Sequence, residues 1–350
     1  RARGMHPGGH ALTRFGALIT GVDGLRLSPG EKAFFSEVRP FGFILFARNV
    51  ESPDQVRALC AELREAAGHE AVITIDQEGG RVQRLRAPLW RDWPAPLDHV
   101  AAAGARAAEA LHLRYRIIAA ELADLGIDSN CAPLVDVAGR DTHPFLRDRC
   151  YGETAGRVAL FGRAVADGLM EGGVLPVVKH IPGHGRAGAD SHHELPRVAA
   201  PAAHLAEVDF APFEALADLP MAMTAHVVYE ALDARPATLS PVIIDTIRRE
   251  IGFDGLLMTD DIGMEALSGS LVERARASLA AGCDVVLHCN GSLAERQAVA
   301  AAAGEMRAAA QARAERALAA RRSPDPVDIS SLAAQLDALM DGQRDGRGQL

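Results

Sequence analysis

Aromatic residues make up only 5% of this 350-residue sequence, and cysteine is scarcer still. The cysteines are Cys60, Cys131, Cys150, Cys283 and Cys289. Their odd number and wide spacing match neither a disulfide framework nor a Cys-x-x-Cys zinc site. No apolar run approaches the roughly 18–20 residues of a membrane span, and no signal-peptide core follows the N-terminus. We therefore expect a cytoplasmic protein.

An excess of positive charge is also lacking, since the formal net charge is -9 at pH 7. A general nucleic-acid binder needs a basic stripe, and a peripheral membrane protein often needs a polybasic patch; neither is present. The length and the 48% hydrophobic content allow one large α/β domain. We expect a monomer that acts on a small molecule, with neither nucleic acid nor membrane as a partner.

Eight short apolar runs recur along the chain, and most of them precede a helix-forming stretch. Several lack polar alternation, which is typical of strands buried on both faces of a parallel sheet. The predicted strands are Gly16–Val22, Gly42–Ala47, Ala71–Asp76, Ser129–Val137, Val174–His180, Met221–Val228, Gly255–Asp260 and Asp284–Cys289. Eight strands that alternate with helices predict a single-domain α/β fold, a (β/α)8 TIM-type barrel. A dinucleotide-binding sheet is disfavoured because no Gly-x-Gly-x-x-Gly follows the first strand.

The helices carry recognisable start and stop signals. Ser-Pro pairs with Glu or Gln at the third helical position begin at Ser28 and Ser52. Alanine-rich stretches predict long helices over His99–Leu125 and Leu293–Arg321. We assign residues 5–325 to the catalytic barrel and residues 326–350 to a C-terminal helical extension, with a helix near 331–340 and a frayed tail over 341–350.

Ionisable and polar side chains follow most of the predicted strands. They are Asp76, Asp136, Lys179, His180, His226, Asp260, Asp261, His288 and Asn290. Packing alone does not explain so many polar strand ends, because buried charges are costly unless they are paired. In a barrel the catalytic groups lie at this end of the strands. The sequence therefore predicts an active site there.

The segment after the fifth strand, residues 179–196, is the most informative. It runs for some twenty residues without helical or strand periodicity, which is long for a βα loop and indicates a functional role. Asp190 precedes His192 by two residues, so its carboxylate can orient the imidazole for acid/base chemistry. The histidines at 180, 184, 192, 193 and 226 also raise a metal site as an alternative. Pro182 and Gly183 break the helical spacing that a zinc-binding pair needs, so we expect neither metal nor cofactor.

Four motifs now resemble those of glycoside hydrolase family 3, and of its single-domain bacterial β-N-acetylhexosaminidases in particular. The motifs are Asp76-Gln-Glu-Gly-Gly-Arg-Val-Gln-Arg84, Lys179-His-Ile-Pro-Gly-His-Gly185, Asp190-Ser-His192 and Gly255-Leu-Leu-Met-Thr-Asp260-Asp-Ile-Gly263. They occur in the family's order and span nearly the whole predicted barrel. The resemblance implies a retaining exo-enzyme that releases terminal β-linked N-acetylglucosamine, from N-acetylglucosaminyl-1,6-anhydro-N-acetylmuramic acid with or without its peptide, in cell-wall recycling.

The resemblance also implies roles for individual residues. Asp260 would be the nucleophile, and His192 the acid/base paired with Asp190. The expected sugar-binding residues are Asp76, Arg84, Arg149, Lys179 and His180. The chain departs from the family's pattern at Arg186-Ala187, where such loops usually have Asp-Thr after the glycine, and Glu194 is a rival acid.

Chemistry favours Asp260 over its neighbour Asp261, because in an extended strand the two side chains point to opposite sides. For Asp261 we expect an ion pair with a neighbouring helix or loop. A histidine of ordinary pKa about 6.5 can donate and then accept a proton near neutrality. Trp90 and Trp93 are expected to pack a loop rather than stack on sugar.

Several alternatives remain open. A family 3 β-glucosidase usually has a second domain, for which this chain lacks the length. A phosphorylase would use phosphate in place of water, and a substrate-assisted enzyme would use the acetamido group as its nucleophile. A sugar-binding barrel without activity and a metal-dependent hydrolase are the remaining options.

Overall fold

The computed structural model describes residues 14–191, 193–324 and 326–346. Eight parallel strands form a closed barrel, as predicted from the sequence. They are β1 Gly16–Gly21, β2 Pro40–Leu45, β3 Val72–Ile75, β4 Ser129–Asn130, β5 Leu175–Ile181, β6 Met221–Thr224, β7 Leu256–Asp261 and β8 Val285–His288. Each strand pairs with its sequence neighbours, and β8 pairs with β1 through Leu18–Val286 and Ile19–Leu287. The fold is a (β/α)8 barrel.

Helices connect the strands and surround the barrel. In chain order the longer ones are Pro29–Val38, Pro53–Ala67, Pro96–Ala103, Ala107–Asp124, Ala155–Glu171, Pro241–Arg249, Leu271–Ala281, Leu293–Ala303, Ala308–Ala319 and Ile329–Gly346. The short ones are Ala47–Asn49, Gly104–Arg106, Pro144–Arg147, Ala202–His204, the π-helix Leu205–Phe210, Ala211–Glu214 and Ala237–Leu239. The predicted caps at Ser28 and Ser52 are present, each accepting a hydrogen bond from the third helical backbone N–H.

The two long predicted helices are wrong in extent, because each is interrupted by a glycine at positive φ. Gly104, with φ of 56°, divides the helix predicted over His99–Leu125. Gly304, with φ of 63°, ends the helix Leu293–Ala303 and so divides the one predicted over Leu293–Arg321. A residue at positive φ cannot continue a right-handed α-helix, and glycine adopts positive φ at low cost. Alanine strongly favours helix, so the alanine-rich composition of both stretches did not indicate these interruptions.

The C-terminal helix is longer than predicted, running over Ile329–Gly346. It packs against Ala107–Asp124 and Pro96–Ala103, and Leu336 and Leu339 are buried. The predicted frayed tail is therefore helical as far as Gly346, and residues 347–350 lie outside the described part. The division of the chain at residue 325 stays a prediction, since that residue is also outside it.

Alternation along the strands divides the core into two layers. Leu18 belongs to the layer between strands and helices, whereas the next residue, Ile19, points into the barrel. At the N-terminal ends of the strands, Met306 and helix Ala308–Ala319 join the inner layer and cover the base. The barrel interior is therefore packed below and accessible at the C-terminal strand ends.

The structure also bears on the cysteines and on membrane contact. All five cysteines are free and buried. In the residues that the structure describes, no helix combines the length and the apolarity that crossing a membrane requires.

Candidate active site

A cavity of about 320 Å³ lies at the C-terminal ends of the strands. Six of the eight sequence-predicted site residues line it: Asp76, Arg84, Arg149, Lys179, His180 and Asp260. They come from four different segments of the chain, which the closed barrel brings to one end. Other lining residues, which the sequence did not single out, include Phe46, Arg81, Phe145, Met223 and Met264. The face predicted to hold the site is therefore the face that holds the cavity.

Asp76 lies at the centre of a charged cluster. Its Oδ1 accepts from Lys179 Nζ at 3.0 Å, and its Oδ2 accepts from Arg84 Nη2 at 2.9 Å. Burial alone would raise the pKa of Asp76, but Lys179 and Arg84 outweigh it and hold the pKa well below the ordinary value. The carboxylate is ionised and held in one orientation.

A tight hairpin places Arg84 beside Asp76. After β3 the chain pairs Gln77–Gly79 antiparallel with Val82–Gln83. The Gln77 Oε1 accepts from the backbone N–H groups of Arg84 and Leu85 at 3.0 and 3.1 Å. Gly79, at φ of 111°, lets the backbone turn next to Arg114, where a Cβ would overlap the guanidinium.

Glu78 is a member of the site that sequence reasoning missed. It is 1% exposed, and its carboxylate accepts from Arg149 Nε at 3.0 Å and Nη2 at 2.8 Å. Its Oε1 also lies 2.6 Å from Lys179 Nζ. Lys179 is thus held between Asp76 and Glu78, and both carboxylates raise its pKa against the effect of burial. Glu78 positions the two cations at the cavity.

The sequence contained a signal for Glu78. Residues two apart in an extended segment project to the same side, so alternation after Asp76 places Glu78 among the same neighbours. This alternation is the signal from which Glu78 could have been predicted.

His180 is oriented by a buried carboxylate after β4. Its Nδ1 lies 2.7 Å from Asp136 Oδ2, and its backbone N–H donates to Asp136 Oδ1 at 3.2 Å. The backbone N–H of His184 donates to the same Oδ1 at 2.6 Å. Burial acts to raise the pKa of Asp136, but His180 and His184 together lower it. Asp136 therefore fixes both the strand end and the imidazole.

Asp260 lies at the end of β7, 16% exposed. Its Oδ2 is 3.9 Å from His180 Nε2, and its Oδ1 accepts from the backbone N–H of Asp261 at 2.8 Å. Burial opposes its ionisation, yet His180, His226 and this backbone bond leave the pKa below the ordinary value. Asp260 is a charged carboxylate that is partly open to the cavity.

For Asp261 the expected ion pair with a helix or loop is wrong. Its Oδ1 accepts backbone hydrogen bonds from Gly263 at 2.9 Å and Cys289 at 3.1 Å. It thereby ties the end of β7 to the segment after β8, and it also lines the cavity. Asp261 binds backbone N–H groups and not a cationic side chain, because the turn at Gly263 directs its backbone N–H at the carboxylate.

The predicted long loop is present, with no helix or strand over residues 182–191 and 193–196. Asp190 is half-buried, and its carbonyl accepts from the backbone N–H groups of His193 and Glu194 at 3.0 Å each. Ser191 is buried, lines the cavity and lies 3.2 Å from His184 Nε2. Asp190 is not itself among the lining residues, and His192 lies outside the described residues. Glu194, the rival acid, is exposed.

His226 and His184 are buried histidines with structural partners. His226 Nδ1 lies 2.8 Å from Thr238 Oγ1, and its Nε2 lies 3.0 Å from the Asp261 carbonyl oxygen. Burial lowers the pKa of His184 to about 4. Within residues 14–191, 193–324 and 326–346, no group of three or more His, Cys, Asp or Glu side chains is arranged to hold a metal ion.

Both tryptophans pack as predicted. Trp93 is 5% exposed, and its ring contacts the guanidinium of Arg114 at 5.2 Å. Trp90 packs against the main core. Neither of them lines the cavity.

Several known proteins are similar to this chain in fold and in sequence. A family model described as "Glycosyl hydrolase family 3 N terminal domain" matches residues 31–320. A beta-hexosaminidase of Alkalilimnicola ehrlichii is 40% identical over 283 residues, which cover 79% of this chain and 81% of that protein. A family 3 beta-N-acetylglucosaminidase of Paenibacillus sp. str. FPU-7 superimposes with a TM-score of 0.81 at 31% identity, over 93% of this chain and 67% of that one.

NagZ from Neisseria gonorrhoeae, solved with N-trifluoroacetyl-D-glucosamine, gives a TM-score of 0.80 at 29% identity, over 94% of this chain and 97% of its own. Fold, cavity and comparisons define a sugar-cleaving barrel enzyme, a glycoside hydrolase. The chain belongs to glycosyl hydrolase family 3.

Proposed function

We propose that this protein is a retaining exo-β-N-acetylglucosaminidase. The observation that carries the proposal is the position of Asp260, an ionised carboxylate on the cavity wall opposite a cluster of fixed polar groups around Asp76. The beta-hexosaminidase and beta-N-acetylglucosaminidase names of similar proteins support the choice of sugar. The natural substrate that we propose is N-acetylglucosamine linked to 1,6-anhydro-N-acetylmuramic acid, with or without peptide, in cytoplasmic cell-wall recycling.

In this proposal Asp260 attacks the anomeric carbon. Its lowered pKa keeps it charged, and a rigid strand end restricts its motion, so little reorganisation precedes bond formation. A covalent glycosyl–Asp260 ester forms while the glycosidic C–O bond breaks. Water then releases the sugar with retained configuration. The Nε2 of His180 lies 3.9 Å from Asp260 Oδ2, so this imidazole is the neighbour of the proposed nucleophile on the cavity wall.

His192 is the proposed acid/base, assisted by Asp190. It would protonate the departing oxygen and later accept a proton from the attacking water. Two described neighbours support this assignment: Ser191, the preceding residue, lines the cavity, and Asp190 lies in the same loop. An imidazole on the leaving-group side avoids a second anion near Asp260.

The remaining cavity groups are the proposed sugar contacts. Asp76 can accept hydrogen bonds from hydroxyl groups, and Arg84, Lys179 and Arg149 can donate them. Charged partners make such bonds strong. Because Lys179 and Arg149 are already held by Glu78, the donors are preorganised before the sugar enters.

Hydrolysis of nitrophenyl glycosides tests the proposal. The wild type should release nitrophenol from the β-N-acetylglucosaminide and far less from the β-glucoside. Asp260→Ala should lose at least about 10³-fold in kcat, with Asp260→Asn as an isosteric check on folding. A 2-fluoro sugar should leave a glycosyl adduct on Asp260 in the wild type. An adduct elsewhere, or full activity of Asp260→Ala, would refute the nucleophile assignment.

The same assay separates the alternatives. Preference for the glucoside would indicate a β-glucosidase, and activity that requires phosphate would indicate a phosphorylase. Turnover of the acetamido sugar without a covalent adduct would indicate a substrate-assisted mechanism. Inactivity on both nitrophenyl sugars and on the muropeptide, with or without phosphate, would indicate a sugar-binding barrel without enzymatic activity.

A further inference from the structure

Arg186 forms an ion pair that connects the first part of the loop over residues 182–196 to a helix beyond the loop. Its Nε lies 2.6 Å from Oδ2 of Asp209. The arginine precedes Asp190 in the first part of the loop, and Asp209 belongs to the π-helix Leu205–Phe210 that follows the loop. The pair therefore links residues 23 positions apart across the whole loop.

The acidic partner is unusual because it is deeply buried. Asp209 is 2% exposed, while Arg186 is 29% exposed by side chain. Burial raises the pKa of Asp209, and Arg186 opposes that rise. A buried carboxylate needs a partner with fixed geometry, and removing that partner is costly. Asp209 thus holds Arg186 at one defined position.

The backbone around Arg186 is fixed as well. The Tyr229 hydroxyl donates to the Gly183 carbonyl oxygen at 2.5 Å, and Thr142 Oγ1 donates to the Gly185 carbonyl oxygen at 2.5 Å. The His143 backbone N–H donates to the Ala187 carbonyl oxygen at 3.2 Å, and Ala187 is buried. Residues 183–187 therefore form a rigid root for the loop.

Exposure changes immediately after this root. Gly188 is exposed and Asp190 is half-buried. The segment with Asp190 and the proposed acid/base thus extends from a root whose last charged anchor is Arg186. This position is also where the chain departs from the family's usual sequence.

We propose that Arg186 is a positioning residue for proton transfer, acting through its ion pair with Asp209. The pair sets the point from which the segment with His192 reaches the leaving group; this inference rests on the proposed function. In the step concerned, the proton moves from the imidazolium to the glycosidic oxygen. At the same time the C–O bond breaks, its electron pair stays on that oxygen, and Asp260 bonds to the anomeric carbon.

The test compares two leaving groups in full-length variants. An alkoxide of a sugar needs protonation, whereas dinitrophenolate leaves without it. Arg186→Ala should lower kcat for N,N′-diacetylchitobiose at least about 10-fold more than kcat for the dinitrophenyl N-acetylglucosaminide. Arg186→Lys should recover part of the difference. Arg163→Ala, which breaks the exposed Arg163–Asp218 pair near the same helix, is the matched control and should change neither.

A purely structural role is tested by neutralising both partners. Arg186→Met combined with Asp209→Asn removes the buried charge without leaving it unpaired, so its melting temperature should exceed that of Arg186→Ala. The loss specific to the sugar leaving group should persist in this double variant. Full recovery of activity in it, or equal losses on both substrates in Arg186→Ala, would overturn the inference. Wild-type inactivity on both substrates would instead count against the proposed function.

Discussion

The imidazole of His180 lies between two carboxylates, with Nδ1 at 2.7 Å from Asp136 Oδ2 and Nε2 at 3.9 Å from Asp260 Oδ2. Asp136 is fully buried and receives two backbone N–H bonds, so it is the fixed partner. Asp260 is partly open and is the partner that substrate can reach. The carboxylate partner assigns a proton to Nδ1, which leaves Nε2 directed toward the cavity.

Replacing Asp136 with Asn should weaken this arrangement with little change in shape. The amide retains an acceptor for the two backbone donors but loses the charge opposite His180. A hydrogen bond to a charged group contributes about 1.5–3 kcal/mol, so kcat/KM should fall by about 10–100-fold. Steady-state kinetics on the nitrophenyl N-acetylglucosaminide measures this. Asp141→Asn, in the exposed part of the same connection, should leave kcat/KM unchanged; an active Asp136→Asn would contradict the role.

Gly185 and Gly188 offer a matched pair in one loop. A Cβ at Gly185 would lie 1.9 Å from the Val137 carbonyl oxygen, whereas a Cβ at Gly188 would meet only the Asp141 carbonyl oxygen at 3.9 Å. Gly185→Ala must therefore displace the loop root, and kcat should fall by at least about 10-fold, since small misplacements are costly in catalysis. Gly188→Ala should retain nearly full activity. Similar kcat values for the two variants would show that the packing of Gly185 against Val137 does not affect catalysis.

The buried ion pairs of Glu78 with Arg149 and Lys179 should make the free energy of unfolding depend on pH in the acidic range. Burial opposes the ionisation of Glu78, but Arg149 and Lys179 lower its pKa from 4.5 to about 2. A lowered folded-state pKa stabilises the fold fully above the ordinary value, and this contribution is lost as the pH falls through the folded value. The free energy of unfolding should therefore decrease between about pH 4.5 and 2.

Glu78→Gln isolates this contribution. At pH 7 it should destabilise by about 3–5 kcal/mol, because two buried cations lose a charged partner. Below pH 4.5 its stability should fall less steeply than that of the wild type. Urea unfolding at several pH values measures both effects. Glu230→Gln, on an exposed surface pair, should follow the wild-type profile, and a Glu78→Gln profile parallel to the wild type would disprove the assignment.

His192 and Glu194 can be separated by leaving-group dependence. His192→Ala should reduce kcat by about 10²–10⁴-fold for a sugar leaving group and much less for dinitrophenolate, since general acid catalysis is lost. Glu194→Gln should change neither rate, because this side chain is exposed. The opposite result would make Glu194 the acid.

Strand positions were predictable because buried parallel strands are continuous apolar runs of limited length. The interruptions of the long helices at Gly104 and Gly304 were not predictable. Both glycines follow strong helix-forming residues, and only the backbone conformation shows that the helix ends there. The six predicted cavity residues follow from the barrel geometry and the family motifs. The cations that pair with Glu78 and the backbone donors that bind Asp261 were not predictable, because local sequence does not specify which groups lie across the barrel.

The pairing of β8 with β1 has a consequence for biosynthesis. Residues after β8 complete the cavity wall: the Cys289 backbone N–H donates to Asp261 at the end of β7, and Arg48 donates to the Cys289 carbonyl oxygen and to Asn290 Oδ1. The seam between the first and last strands forms only after the ribosome has released both. A partly synthesised chain therefore has sugar-binding groups but no completed pocket, and the active site forms only after β8 has been synthesised.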